Sequence, residues 1–150
     1  MASDNQYTFV QLCNATGCTL IYTGQIDWHG GIGPAPYPQS IANGEQGWFL
    51  HVRSASQPGS EGAVCYRGVD ANRTEFIWIV YWINPFNSQN KVFAVVLPSS
   101  SNVDWDRIRQ EIAGTDSTNG DFTGYFTHAS IDIDGNFPIA KAVVTKNANN

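Results

Sequence analysis

The feature that most constrains this chain is the run of residues 76–83, in which every side chain is apolar, β-branched or aromatic. The run ends at Asn84-Pro85, a pair that the interior of a strand does not tolerate. A segment that is apolar on both faces of its pleat is typical of a central strand covered on both sides. The sequence therefore predicts a β-sandwich core around this strand, with a ligand site where the sheet edge meets Pro85.

Composition and charge restrict the possible partners. The chain has 150 residues, which fits a single domain over 1–150, and only 14% of the residues are charged whereas 13% are aromatic. The formal net charge is −5, and no segment concentrates lysine and arginine. Nucleic acids and anionic lipids both require a basic surface. A zwitterionic membrane lipid or a neutral glycan fits this charge, and nucleic acid does not.

The first residues and the cysteines bear on the compartment. Residues 1–6 contain neither the basic nor the apolar region of a signal peptide, and no apolar run reaches the length of a membrane-spanning helix. We expect a cytoplasmic protein, or one exported without a leader. Without a leader, Cys13, Cys18 and Cys65 are expected to be reduced thiols, although a tight turn over 14–17 would also allow a bridge between the first two.

Strands follow one another at even spacing along the chain. Strands are predicted at residues 7–14, 19–28, 47–53, 62–68, 91–97, 121–134 and 137–146, in addition to the apolar run. Residues 29–38 contain three glycines and three prolines and are predicted to lack regular structure. Residues 54–61 are predicted to form a polar loop. The last two strands are expected to pair as a hairpin closed at 134–136.

One helix is predicted, over residues 103–113. Ser101 or Asn102 can cap it, Asp104 lies in its first turn, and Gly114 follows its end. An apolar stripe recurs at helical spacing and consists of Trp105, Ile108 and Ile112. Such a stripe more often packs on a core than binds a ligand, but Trp105 in the first turn is placed to be half exposed.

Catalytic and metal-binding patterns are weak in this sequence. The three histidines, His29, His51 and His128, lack partners at metal-ligand spacing, so no metal or other cofactor is expected. The sequence Asp132-x-Asp134-Gly135 is only a fragment of a calcium loop and is better interpreted as a charged turn. Asp27 and His29 merely share one face of a strand. We therefore expect a protein without enzymatic activity.

The order of these pieces resembles a known family. The Gly/Pro loop, the apolar strand ending in Asn84-Pro85-Phe86, the helix around Trp105, Gly124-Tyr125 and the closing hairpin occur together in the actinoporin-like proteins. The resemblance covers residues 7–145 and is nearer to the non-lytic fungal and plant branch, the nakanori-like and jasmonate-induced proteins. It implies a mainly β fold, a sandwich with one short helix packed on it. It also implies a phosphocholine site near one end of the sandwich.

The resemblance implies particular site residues. The proline after the central strand corresponds to Pro85 and the following aromatic residue to Phe86, while a pocket wall falls near Ile83. A small residue of the Gly/Pro loop falls near Gly33, and the aromatic residue at the helix start corresponds to Trp105. Two departures stand out. Arg109 replaces a tyrosine of the family pocket, and the aromatic loop that cytolysins press into the bilayer is shortened to 87–90.

A further departure concerns pore formation. Lytic members carry an N-terminal amphipathic segment that inserts into the bilayer, whereas here only six residues precede Tyr7. Six residues are too few to cross a hydrocarbon core at the helical rise. We expect peripheral membrane contact without a transmembrane segment and without permeabilisation.

The predicted ligand is a phosphocholine headgroup, as in sphingomyelin, together with cholesterol in the membrane. A quaternary ammonium is recognised by aromatic faces, each worth about 0.5–2 kcal/mol. The candidate rings are Trp28, Tyr37, Phe86 and Trp105, with Tyr81 and Trp82 behind them. A neighbouring carboxylate, Asp104 or Asp106, would add attraction.

Two other functions remain open at this point. A soluble lectin would stack a neutral sugar on Trp28 or Tyr37 and bond its hydroxyls through Asp27, Gln39 and Asn43. A structural protein without a small ligand is the other. The sequence allows a monomer or a dimer.

Overall fold

A computed structural model describes residues 6–54, 58–85, 88–99, 103–112, 119–122 and 124–146. These residues form two β-sheets, of six and five strands, that pack face to face, and one helix. The predicted mainly β sandwich with one short helix is confirmed.

The first sheet contains six strands in the order β3-β5-β1-β11-β10-β9. Its middle pair, β1 and β11, is parallel, and the other pairs are antiparallel. Alternate side chains of β1 are buried, so one face of this sheet lies against the core. The strands are β1 (Tyr7–Ala15), β3 (Gly31–Ile32), β5 (Gln46–Val52), β9 (Asn119–Phe122), β10 (Tyr125–Ile131) and β11 (Ile139–Lys146).

The second sheet is antiparallel, with the order β4-β2-β6-β7-β8. The apolar run forms β7, which lies between two long neighbours as the sequence predicts. Its residues alternate between two buried clusters, because the second sheet is covered on both of its faces. The strands are β2 (Leu20–His29), β4 (Ser40–Ile41), β6 (Gly59–Val69), β7 (Glu75–Pro85) and β8 (Lys91–Pro98).

The inner core lies between the two sheets. Trp78 and Trp82 of β7 are fully buried there, together with Phe49 from the opposite sheet. The indole Nε1 of Trp78 donates a hydrogen bond of 2.8 Å to the hydroxyl of Thr127, which also lies in the opposite sheet. Burial of a large apolar side chain is worth about 1.5–3 kcal/mol, so these rings contribute to the attachment of one sheet to the other.

The helix α1 (Trp105–Ile112) covers the outer face of the second sheet. Ile108 is buried there and Trp105 is partly buried, as predicted for these two residues of the apolar stripe, and the side chain of Ile112, the third, lies outside the described part of the structure. The residues predicted to cap the helix, Ser101 and Asn102, lie outside the described residues, and the helix begins at Trp105. Asp104 is the cap, because its carboxylate accepts a hydrogen bond of 3.0 Å from the backbone N–H of Arg107.

Several predicted boundaries differ from the structure, and three of these differences change the description of the fold. The single strand predicted at 121–134 is divided into β9 and β10, with a turn at Gly124, whose φ is +82°. The segment predicted to be irregular contains β3, where Gly31 and Ile32 pair with Val52 and His51. The polar loop predicted over 54–61 ends before Gly59, where β6 begins. Gly59 pairs with Pro85 of β7.

Two further expectations concern the state of the cysteines and the presence of a membrane-spanning helix. Cys13, Cys18 and Cys65 are free thiols, and Cys65 is buried. Burial raises the pKa of the Cys65 thiol above its ordinary value, so this group stays neutral. Within the described ranges, no helix combines the length and the apolar character needed to cross a membrane.

Candidate functional site

The most distinctive polar group on the outer face of the second sheet is the carboxylate of Glu61, which is 2% exposed. The strand register places Glu61 between His29 of β2 and Ile83 of β7. Arg109 of the helix reaches down to it, with Nε 2.8 Å from Oε2 and Nη2 2.9 Å from Oε1. The hydroxyl of Tyr81 donates a third hydrogen bond to the same carboxylate. A buried charge is therefore paired and fully bonded.

The protonation states of this cluster follow from these contacts. The hydrogen bond to Glu61 raises the pKa of Arg109, which keeps the guanidinium charged. Burial, and then the hydrogen bond to Glu61, raises the pKa of Tyr81, so its hydroxyl remains a neutral donor. The cluster is a fixed pair of opposite charges with a phenol beside it.

Trp28 lies next to this charge pair. The Cζ atom of Arg109 is 5.3 Å from the centroid of the Trp28 ring, which is the distance of a cation–π contact. The ring is also 5.6 Å from that of Tyr81, at an interplanar angle of 60°. One face of Trp28 is therefore already used by a cation of the protein itself.

Two adjoining depressions open beside this cluster and share Glu61, Ile83, Pro85 and Arg109 as lining. The larger has a volume of about 300 Å³ and is also lined by Tyr81, Ser88, Gln89 and Lys91. The smaller has a volume of about 190 Å³ and is also lined by His29, Ser60, Asn84 and residues 58–59. A combined site of this size suits a small headgroup or metabolite.

The structure brings some of the predicted site residues to this place. Ile83 and Pro85 line both depressions, as the predicted position near the end of the central strand implies. The ring of Trp28 lies against the guanidinium of Arg109. Phe86 lies outside the described residues. The rings that line the depressions among the described residues are those of Tyr81 and His29.

The other predicted residues lie elsewhere. Trp105 packs on the outer cluster and Asp104 caps the helix, so neither lines the depressions. Tyr37 is 8% exposed, with its ring 4.6 Å from that of Phe49 in the inner core. Gly33 belongs to the edge of the first sheet, where its N–H bonds to the carbonyl of Leu50 at 2.8 Å.

A second polar network lies between the sheets. The Nδ1 atom of His51 is 2.6 Å from the hydroxyl of Ser60, and its Nε2 atom is 2.9 Å from Oδ1 of Asp27. The hydroxyl of Thr8 lies 2.9 Å from that of Ser60. Asp27 thus pairs with His51 across the sandwich, and not with His29 as its place in the sequence suggests.

This network contains the residue types of a hydrolytic triad in a different arrangement. In that triad the serine bonds to Nε2 of the histidine and the carboxylate to Nδ1, which is the reverse of what is seen here. Ser60 and His51 are also fully buried. Burial would raise the pKa of Asp27, but hydrogen bonds from His51, Gln25 and Tyr37 hold it below its ordinary value. The geometry fits a polar tie between the two sheets.

The residues that the sequence did not single out are Glu61, His51 and Ser60. Glu61 was assigned to a loop, yet it is an isolated carboxylate at the start of an apolar run, which is the available signal for a buried charge. Arg109 was noted only as a departure from the family. Among the described residues, no group of three histidine, cysteine or carboxylate side chains is placed to hold a metal ion.

Two known proteins, both described as jasmonate-induced, are similar to this chain in sequence. The 23 kDa jasmonate-induced protein of Hordeum vulgare is 41% identical over 87 residues, which is 57% of this chain and 41% of that protein. The jasmonate-induced protein homolog of Atriplex canescens is 30% identical over 129 residues, covering 81% of this chain and 68% of that protein. This chain thus spans about two fifths of the barley protein's length.

A solved structure extends the comparison to the fold. The crystal structure of the lipid binding protein Nakanori superposes with a TM-score of 0.79 at 19% identity, covering 94% of this chain and 71% of that one. This likeness shows a shared sandwich. The family model described as Nakanori-like protein matches residues 3–147. Because that match spans almost the whole chain, the protein belongs to the family of Nakanori-like proteins.

Proposed function

We propose that this protein is a non-enzymatic, peripheral lipid-binding protein and that the double depression beside Glu61 and Arg109 receives a phosphocholine-type headgroup. The observation that carries the proposal is a fixed pair of opposite charges at the wall of a headgroup-sized hollow. The solved relative described as a lipid binding protein supports the choice of a lipid as ligand. Sphingomyelin in a cholesterol-containing membrane is the proposed natural source.

The charges suit the two ends of a zwitterion. A guanidinium has five N–H donors, more than its two hydrogen bonds to Glu61 use, so Arg109 can also bind a phosphate oxygen. Lys91 lines the same depression and adds positive charge on the phosphate side. The quaternary ammonium would lie towards the ring of Tyr81, where a π-face favours a cation, and the carboxylate of Glu61, already paired with Arg109, would offset the positive charge of the guanidinium beside it. Phosphate contact therefore contributes more here than an aromatic cage does.

Arg109 stands at a position where the family resemblance places a tyrosine of the pocket. With Arg109 over Trp28, the cation–π position on that ring is occupied. The specificity then depends on the phosphate and on the geometry of the charge pair. We expect phosphocholine to bind, and choline alone to bind much more weakly.

The lectin alternative is less well supported by the contacts. The ring of Tyr37 is buried, and the carboxylate of Asp27 already accepts hydrogen bonds from His51, Gln25 and Tyr37. Asn43 accepts a bond from the N–H of Gly17. The polar groups suggested for a sugar are therefore engaged within the protein.

Calorimetric titration with phosphocholine, choline, inorganic phosphate and a set of neutral oligosaccharides tests the proposal. Phosphocholine should bind wild-type protein, and Arg109→Gln should weaken that binding about tenfold or more, since a bond to a charged group is lost. Arg67→Gln is the matched control, because Arg67 is an exposed arginine already paired with Glu75. Binding of a sugar without phosphocholine would replace this proposal with the lectin.

Vesicles test the finer part of the proposal. Sedimentation with sphingomyelin vesicles, with and without cholesterol, should show binding that free phosphocholine reduces. Release of a trapped dye from the same vesicles measures permeabilisation. Bound protein without dye release is the expected result, and release at saturating protein would contradict it.

A further inference from the structure

The turn between β10 and β11 displays two bare apolar side chains. Ile133 is 57% exposed and Phe137 is 59% exposed, the highest values among the large apolar side chains of the described residues. Single exposed apolar residues are ordinary on protein surfaces, but here two of them, four residues apart, belong to one turn. The ring of Tyr7 packs against that of Phe137, with a distance of 5.2 Å between the ring centroids.

This turn is held rigidly by two buried asparagines. The side-chain amide of Asn90 donates hydrogen bonds to the carbonyls of Asp132 and Gly135, at 3.0 and 3.2 Å. Its backbone N–H donates to the carbonyl of Ile133 at 2.9 Å. The amide of Asn84 reaches the carbonyl of Asn136 at 3.2 Å. The two apolar tips are therefore presented in a fixed geometry, which lowers the entropy cost of docking.

The same asparagines join the turn to the candidate site. Asn84 lines the smaller depression, and Asn90 lies between Gln89 and Lys91, both of which line the larger one. The turn over 132–138 and the double depression consequently belong to one end of the sandwich. Membrane anchoring by this turn requires that one surface cover the depression and also meet Ile133 and Phe137.

We infer that Ile133 and Phe137 are membrane anchors that enter the interfacial layer of a zwitterionic bilayer when the depression takes a lipid headgroup. Apolar side chains beside a headgroup site bury their surface at the boundary of the acyl chains. Asp132 and Asp134 flank the anchors, and the net charge of −5 would repel an anionic surface. The inference rests on the proposed function, since both require a membrane at this end of the protein.

Vesicle sedimentation tests the anchors directly. The variants are Phe137→Ser, Ile133→Ser and the double variant, with vesicles of sphingomyelin and cholesterol and of phosphatidylcholine. Each single change should lower the partition constant about tenfold, because one buried apolar side chain is lost. Replacing part of the lipid by phosphatidylserine should weaken binding of the wild-type protein.

Ile21→Ser is the matched control. Ile21 is 49% exposed on β2 and pairs with Arg67, at the opposite end of the second sheet from His29 and Glu61. Its loss should change vesicle partition by less than about twofold, as for a surface substitution remote from the contact. Phe137→Trp provides a second measurement. Its added fluorescence should be quenched by brominated acyl chains, and that of Ile21→Trp should not.

The outcomes separate the anchor from the headgroup site. Phosphocholine titration in solution should be unchanged in the serine variants, because they leave the depression intact. If the wild-type protein and the double variant sediment equally, or if neither binds vesicles, the anchor inference is wrong. A third outcome is that the serine variants lose vesicle binding while phosphocholine fails to bind the wild-type protein. In that case the anchor inference is supported and the headgroup proposal is wrong. Dimerisation abolished by Phe137→Ser, with vesicle binding unchanged, would assign this patch to a second copy of the chain and overturn the inference.

Discussion

Arg109 and Glu61 form a two-point ion pair that connects the helix to the middle of the second sheet, with N–O distances of 2.8 and 2.9 Å. Glu61 is almost inaccessible to water, whereas the side chain of Arg109 is 42% exposed. The pair has two consequences, because it fixes the helix over the outer cluster and places a charged group at the edge of the candidate site.

The first prediction concerns this pair. Arg109→Ala should lower the free energy of unfolding by about 1–3 kcal/mol, because a buried carboxylate loses its countercharge and two of its hydrogen bonds. Urea unfolding at neutral pH measures the effect. Arg67→Ala, which removes an exposed ion pair with Glu75, should change the free energy of unfolding much less. Equal losses in the two variants would show that burial of Glu61 adds nothing.

A second prediction concerns the close packing at Gly62. A Cβ atom added there would lie 2.8 Å from a ring carbon of Trp82 and 2.9 Å from the carbonyl oxygen of Ile26. Gly62→Ala should therefore destabilise the protein by about 1–3 kcal/mol, as overpacking does. Gly24→Ala, in an open position on the neighbouring strand β2, should change the unfolding midpoint little. A neutral Gly62→Ala would mean that β6 and Trp82 separate easily.

The third prediction concerns acid stability. The folded pKa of Asp27 lies below its ordinary 3.8, so the unfolded chain binds a proton more readily than the folded protein. Asp27 therefore contributes stability above that value, and the contribution disappears as the pH falls through the folded pKa. Urea midpoints between about pH 6 and pH 2 should decline less steeply in Asp27→Asn than in the wild type. Parallel curves would contradict the assignment.

A fourth prediction concerns the tie between Trp78 and Thr127. Trp78→Phe should cost about 1–3 kcal/mol, because it removes a buried hydrogen bond and leaves a space in the inner core. Trp48, which is 53% exposed on the first sheet, offers the comparison. Trp48→Phe should change the unfolding midpoint only slightly. Thermal or urea unfolding distinguishes the two.

Much of the sandwich could be predicted from local sequence patterns. The run around Trp78 is apolar on both faces, and the structure uses one face for the inner core and the other for the cluster beneath the helix. The helix also follows from local chemistry, since Trp105 and Ile108 lie one turn apart on the same face. The division of 121–134 into two strands was not predicted, because the run alone does not fix where the chain reverses.

Only part of the candidate site could be predicted from the sequence. Ile83 and Pro85 follow from the end of an apolar strand, and both line the depressions. Glu61 and Arg109 are 48 residues apart, and nothing local to either residue indicates the other. Asp27, His51 and Ser60 are likewise brought together from three strands.

The sequence alone determined that this chain forms a β-sandwich with one short helix, because alternation, turn residues and caps act over a few neighbouring positions. Only the tertiary structure decided which charges meet. The register of β6 against β7 sets the position of Glu61, and the helix over the sheet brings Arg109 within bonding distance of it. The physical reason is that electrostatic and hydrogen-bond partners are selected by distance in space, and folding sets that distance independently of separation along the chain.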